Sequence, residues 1–256
     1  MRTSMKRERI VPVLSLLTGL ILWMLLDRLQ VFHPVLFAGP EQVAVSLARL
    51  ASTGELWIHL SVSSSEFAAG FGAAVVIGAA TGYVLGMNRT LETIFQPYLI
   101  AMYAAPRAAF IMLVLAWFGI GLFSKALLVF LGAFFPITMN VLTGTKQVSP
   151  ELLRVARVFG ASPREQVMKI VLPYTMPFLF TGMRLGIGRG LVGVFVAEMY
   201  GSTQGIGAMI LRAGAEMNTG NLFAGLLVLA AASMLLTEGI RYLGDRLMSW
   251  QQDVQI

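Results

Sequence analysis

The sequence predicts an all-α polytopic membrane protein, and three observations carry that prediction. Hydrophobic residues make up 57% of the chain and charged residues only 12%, with a mean hydropathy of +0.75, whereas a soluble domain holds roughly 25% charged residues. Apolar runs long enough to cross a bilayer recur between short polar breaks. The basic residues are concentrated in alternate breaks. Together these place six spanning helices near residues 10–27, 66–87, 93–117, 125–143, 176–200 and 221–243, in a single domain covering 1–256, with a cytoplasmic loop at 144–175. Cysteine is absent, which excludes disulfides and thiolate metal sites, and the two histidines, His33 and His59, are too few for a His-based one, so no metal site is expected. The net charge of +6 reads as a topology signal rather than a nucleic-acid footprint.

Residues 1–9 hold Arg2, Lys6, Arg7 and Arg9 and precede the apolar run Ile10–Leu26, whose 17 residues reach about 26 Å. No small-x-small cleavage site follows, so this is expected to be an uncleaved first helix with its N-terminus in the cytoplasm. Pro34 and Gly39-Pro40 break the next stretch. Pro40 to Ala51 has the pattern of a short amphipathic helix, with Val43, Leu47 and Leu50 on one side. It is expected at the outer interface, with contact to a solute-binding protein as the sharper alternative.

In the second span Gly70, Ala74, Gly78, Gly82 and Gly86 fall four residues apart. They form a smooth stripe that admits another helix backbone. Asn88-Arg89 then turns the chain on the cytoplasmic side. Pro97 and Pro106-Arg107 interrupt the third span. Two readings of Arg107 stand. It lies at mid-membrane, where an arginine costs about 2.5–3.5 kcal/mol and broken helices build transport sites. Alternatively residues 90–105 follow the inner interface and Arg107 guards the inner mouth. The fourth span holds Pro136 and Asn140, the latter expected to bond to a neighbouring helix. The fifth carries Arg184, Arg189 and Glu198. At about 100° per residue Arg184 and Glu198 share a face, whereas Arg189 and Glu198 point to opposite sides, so the three cannot line one pore face. Arg184 is near enough to the inner end to snorkel. Gly182, Gly186, Gly190 and Gly193 again mark close helix contact. Between the last two spans, Ile206 to Met217 is expected to form a re-entrant or interfacial helix. Its leading GSTQGIG lacks the Gly-Lys-Ser/Thr ending of a phosphate loop.

With both termini inside, the cytoplasmic side carries Arg2, Lys6, Arg7, Arg9, Arg89, Lys146, Arg154, Arg157, Arg164, Lys169, Arg241 and Arg246. The outer side carries Arg28, Arg49, Lys125 and Arg212, a balance of twelve to four.

The polar stretch Ser149–Pro173 reads as two short helices joined by a turn. Ser149 caps the first, with Pro150 at its first position. Leu152, Leu153, Ala156 and Phe159 or Gly160 recur on one face, and Gly160 closes the helix. Ser162, Pro163 and Glu165 form a capping box on the second, and Pro173 is expected to end it.

The run Gly160, nine residues, Ile170, one residue, Leu172, Pro173 resembles the EAA loop of the membrane-spanning permeases of ABC importers. Ala156 matches the loop's second alanine, while Arg154 and Val155 stand where the family has Glu and Ala. WFGIG at Trp117–Gly121, Ser124-Lys125, LGAFFPI at Leu131–Ile137 and AEMYGSTQGIG at Ala197–Gly207 resemble the branch that imports nitrate, alkanesulfonates and taurine. The likeness covers roughly residues 55–245. It implies a type I importer permease, multi-pass in the bacterial cytoplasmic membrane. Glu151, Arg154, Ala156, Arg157, Gly160, Ala161, Ile170, Leu172 and Pro173 would contact an ATPase. It also implies two ATP-binding subunits that hold ATP and Mg, with no cofactor in this chain, a second permease copy forming a homodimer, and an external solute-binding protein. No Ser/His/Asp or Cys/His set, membrane carboxylate cluster or P-loop is evident, so no catalytic residue is expected. Pro106, Arg107, Asn140, Arg189 and Glu198 are the candidates for the solute path, and the two arginines favour an anion. The alternative is an ion-gradient transporter or channel without an ATPase, for which Glu198 would be the coupling group.

Overall fold

The computed structural model describes residues 2–33, 35–105 and 107–248. Among these, eleven α-helices and no strand are present. They are α1 (Arg2–Arg28), α2 (Pro40–Ser52), α3 (Glu55–Met87), α4 (Arg89–Ala104), α5 (Arg107–Phe118), α6 (Leu122–Lys146), α7 (Pro150–Val158), α8 (Pro163–Gln166), α9 (Leu172–Met199), α10 (Ile206–Ala215) and α11 (Thr219–Leu247). Four helical stretches, Glu55–Met87, Leu122–Lys146, Pro163–Met199 and Thr219–Leu247, are long and apolar enough to cross a membrane. The outward faces of α1 and α11 are apolar and exposed, as at Leu16, Ile21, Met234 and Leu235. In water such surfaces would aggregate, whereas in lipid they are the ordinary outer face of a bundle.

The helix α6 lies between α3 and α9 and touches both along its length. The stripe on α3 meets it directly. A Cβ on Gly70 would collide with the Ala126 carbonyl oxygen, and one on Gly82 would stand 2.8 Å from the Thr138 carbonyl oxygen and 2.7 Å from Val141 Cβ. From the other side, Gly182 places its Cβ position 2.9 Å from Ile137 Cα, and Gly193 its own 2.9 Å from the Leu128 carbonyl oxygen. Ala74, Ala133, Ile137 and Val141 fill the first seam, and Phe67, Val129, Ile187, Leu191 and Val194 the second. Lipid tails are as apolar as these side chains, so close backbone approach supplies the attraction that water would supply elsewhere.

The third predicted span is two helices. Ala105 is extended, at φ −62° and ψ 142°, as a residue before proline prefers, and α5 starts at Arg107. Pro106 lies outside the described residues, as does the Arg107 side chain. Asn88 caps α4 by accepting from the backbone N–H groups of Thr90 and Leu91, each at 3.1 Å. On the outer side α2 is not a free interfacial helix. Val43 and Leu50 are buried against Ile206, Met209 and Ile210 of α10 and Ala224 of α11, and Arg49 donates to Asn221 Oδ1 at 2.9 Å.

The second short helix does not end at Pro173. A π-helical turn over Val167–Val171 leads straight into α9, and Pro173 sits in the first turn of that helix. The proline ring would press on the carbonyl four residues back, that of Lys169, and the widened turn gives it room.

Replacing Gly82 with Leu should therefore break the α3–α6 seam. Overpacking of this kind costs about 1–3 kcal/mol, so the purified protein in detergent should unfold at a clearly lower temperature. Gly72→Ala, whose added Cβ meets nothing within 4 Å, should not, and equal melting temperatures for the two variants would refute the seam.

Candidate functional site: an exposed loop and three buried charges

The loop between α6 and α9 leaves the bundle. Ser149 Oγ accepts from the Glu151 and Leu152 N–H groups at 3.2 and 3.4 Å and starts α7. Gly160 ends it in the left-handed region, at φ +85°, with its N–H bonded to the Arg157 carbonyl and that of Ala161 to the Ala156 carbonyl, both at 2.9 Å. This is a Schellman-type close that favours glycine. The Ala161 carbonyl in turn accepts from Gln166 Nε2 at 3.0 Å. The capping box of Ser162 and Glu165 is formed, and Lys169 Nζ donates to Glu165 Oε1 at 2.9 Å.

None of the residues of α7 is buried. The apolar stripe expected on one face is split. Leu153 and Ala156 turn partly toward the rest of the chain. Leu152, Val155, Val158 and Phe159 are exposed, the last two at 85% and 86%. Glu151, Arg154 and Arg157 flank this ridge and are exposed. Ile170 and Leu172 are half-buried where the loop meets α9. At the root of α7, Lys146 forms an ion pair with Glu92 of α4, and the Tyr83 and Thr175 hydroxyls stand 2.6 Å apart between α3 and α9.

Three charged groups lie deeper. Lys125 is not an outer-surface charge. It is buried, and its Nζ donates to Glu66 Oε1 at 2.6 Å and to Ser202 Oγ at 2.8 Å. Glu198, also buried, accepts from Ser63 Oγ at 2.5 Å and from the Gly207 N–H at 2.7 Å. It lies beside Glu66, close enough for the two carboxyl groups to interact. The same network caps α10, because the Gly205 N–H donates to His59 Nδ1 at 3.0 Å and the Ile206 N–H to Ser63 Oγ at 2.9 Å. The carboxylate cluster that the sequence does not display is thus present. The α3 and α6 helices start at Glu55 and Leu122, earlier than the apolar runs, so Glu66 and Lys125 fall inside helices rather than at their boundaries. The signal available was a lone acid and a lone base, each at the outer end of an apolar run.

Arg189 is separate from this network. Its guanidinium carbon stands 4.2 Å from the centre of the Tyr103 ring, and its Nη1 is buried with no hydrogen-bond partner among the described residues. It faces a cavity of about 150 Å³ between α4, α5, α6 and α9, otherwise lined by apolar side chains and Gly193. Asn140 does not bridge to another helix; its Nδ2 donates to the Pro136 carbonyl of its own helix at 2.8 Å. Arg184 is exposed and reaches Thr181 Oγ1 at 3.4 Å. Glu198 and Arg189 therefore serve different places, as their opposite helix faces require.

Four helical stretches long and apolar enough to cross a membrane, with an exposed polar loop between two of them, define a multi-pass membrane protein. The chain belongs to the family of binding-protein-dependent transport system inner membrane components, which matches residues 74–248. It is 32% identical to the taurine transport system permease protein TauC of Escherichia coli (strain K12), over 99% of this chain and 94% of that protein. It is likewise 32% identical to the putative aliphatic sulfonates transport permease protein SsuC of Bacillus subtilis (strain 168), over 91% and 85%. To the riboflavin transport system permease protein RibX of Chloroflexus aurantiacus it is 30% identical, over 94% and 90%. The chain is an ABC importer permease of the nitrate, sulfonate and taurine branch, a transport subunit and not an enzyme.

Removing one member of the buried pair should harm the fold more than removing both. Lys125→Met leaves Glu66 uncompensated, at about 3–5 kcal/mol. The double variant Lys125→Met with Glu66→Gln should recover most of the folded yield in detergent. Equal yields of the single and double variants would show that the pair carries no such burden.

Proposed function

We propose that this permease works as one of two identical copies, with two cytoplasmic ATP-binding subunits and an external solute-binding protein. Each copy has six spans and both termini in the cytoplasm of a bacterial inner membrane. The observation that carries this reading is the exposed ridge of α7. Val158 and Phe159 are 85% and 86% exposed in a loop whose neighbours Arg154, Arg157 and Arg164 are charged and exposed. The ridge stands on a short, doubly capped loop of a size that suits a protein groove, and an ATPase is the partner that such a permease requires. Glu151, Arg154, Ala156, Arg157, Gly160 and Ala161 frame the contact. Ile170, Leu172 and Pro173 join it to α9 through the π turn. ATP and Mg belong to the ATPase subunits. Their closure drives the two loops together, and the spanning helices tilt in response.

The solute is a small anion such as a sulfonate, taurine or nitrate. Support for this comes from Arg189, a cation with an unpaired donor facing a cavity, since a charge left unpaired in the membrane is a functional group by default. Pro106, Arg107, Asn140 and Glu198 complete the proposed path, with Glu198 acting by holding α10 in place.

Phe159→Asp should abolish co-purification of the ATPase subunits while leaving the yield of folded permease unchanged, because the side chain touches little of its own chain. Arg189→Gln should lower uptake of an anionic solute at least about tenfold, the loss of roughly one charge-assisted hydrogen bond. Retained ATPase in the first case, or unchanged uptake in the second, removes the corresponding part of the reading.

A further inference from the structure

From the contacts of α4 we infer that Tyr103 is the positioning residue for Arg189, and that α4 links this pair to the cytoplasmic loop. The inference rests on the proposed role of Arg189 in the solute path and extends it to a residue that none of the sequence motifs marks. The Tyr103 ring lies over the guanidinium, 4.2 Å from Cζ to the ring centre. A cation–π contact holds the guanidinium through its charge, and Nη1 keeps no hydrogen-bond partner among the described residues. The edge of a guanidinium is where an oxyanion headgroup binds, by parallel N–H···O bonds. The buried and unpaired Nη1 beside the cavity that Met102, Phe110 and Val196 help to line is such an edge. Tyr103 holds the fork in place without consuming its donors.

The second half of the inference concerns what moves Tyr103. It stands at the penultimate position of α4, and Glu92 stands in the first turn of that helix. Eleven residues separate them, so at about 100° and ~1.5 Å per residue they share a face to within about 20° and lie about 17 Å apart. Glu92 is paired with Lys146, the last residue of α6, only a few residues before α7. The helix is therefore fastened at one end to the root of the loop and at the other to Arg189. Pro97 lies between the two anchors and lacks the N–H that would tie the Thr93 carbonyl, so bending of α4 is confined to one known place. A displacement of the α6–α7 junction shifts Glu92, and with it the Tyr103 end. Arg189 is thereby oriented or released according to the state of the ATPase.

The chain contains no cysteine, so Val196→Cys puts a single thiol in the Arg189 cavity with little change of volume. The permease–ATPase complex in lipid nanodiscs is labelled with N-ethylmaleimide, nucleotide-free and after trapping with ATP and vanadate. The expected result is a change in labelling rate on trapping of about tenfold, within the usual range of coupling between sites. Lys146→Gln and Tyr103→Leu should each remove that change while the ATPase still co-purifies and hydrolyses ATP. Tyr103→Phe, which keeps the ring, should retain it, and so should the exchanged pair Glu92→Lys with Lys146→Glu. These two variants separate a lost link from a damaged fold. A nucleotide-dependent change that persists in Lys146→Gln or in Tyr103→Leu would overturn the inference. The solute-path reading fails separately, through unchanged anion uptake in Arg189→Gln.

Discussion

Everything in this chain hangs on the close approach of α6 to α3 and α9. Within the membrane no water is displaced when helices meet, so the seam must be held by dispersion contacts between backbones. That requires small residues at regular four-residue steps on the partners of α6, and the glycines of α3 and α9 supply them. Because α6 is fixed on two sides, its ends are fixed as well. Lys125 at one end meets Glu66, and Lys146 at the other meets Glu92. A packing requirement thus sets the position of both inter-helix ion pairs.

The buried charges are held in two different ways. Glu198 is hydrogen-bonded through both carboxylate oxygens, and the N–H groups that open α10 have partners, although Glu66 Oε2 beside them has none among the described residues. Such a network stabilises one arrangement of α3, α9 and α10 because each group would be costly if left alone. Arg189 packs on an aromatic ring and, among the described residues, its Nη1 has no hydrogen-bond partner. Charges paired between helices lock those helices together, whereas Arg189 is held by a ring and borders a cavity.

Much of the architecture was legible in the sequence, for definable reasons. Caps and stripes are local: Ser149, Ser162 with Glu165, Gly160 and the α3 glycines announce themselves within a few residues. The break at residues 105–106 follows from the extended preference before proline. What could not be read are pairings between distant segments. Glu66 with Lys125, and Arg189 with Tyr103, depend on which helices become neighbours and in what rotation. The Asn140 expectation failed for a related reason, since its amide is taken by the Pro136 carbonyl of its own helix. Pro173 was misread because a stop signal in an α-helix is not a stop once a π turn precedes it. Helical periodicity showed which residues of α7 share a side, but not which of them the rest of the chain half covers.

Two kinds of exposed apolar surface remain, and physics distinguishes them. Those of α1 and α11 are broad, uncharged and on membrane-length helices, so lipid covers them at no cost in unpaired polar groups. The ridge of α7 is narrow, lies on a nine-residue helix, and is flanked by the exposed Arg154 and Arg157. Left in water, Val158 and Phe159 would each give up the roughly 1.5–3 kcal/mol that burial of a large apolar side chain supplies. Their positions are set by a serine cap, a Schellman-type close at Gly160 and a capping box, all of which act within the loop itself. The loop is therefore prepared in advance, and little ordering entropy is lost when a groove receives it. A segment that is stiff, apolar at its tip and joined without a break to a membrane-crossing helix transmits displacement instead of absorbing it. That continuity through the π turn into α9 joins the loop mechanically to a membrane-crossing helix.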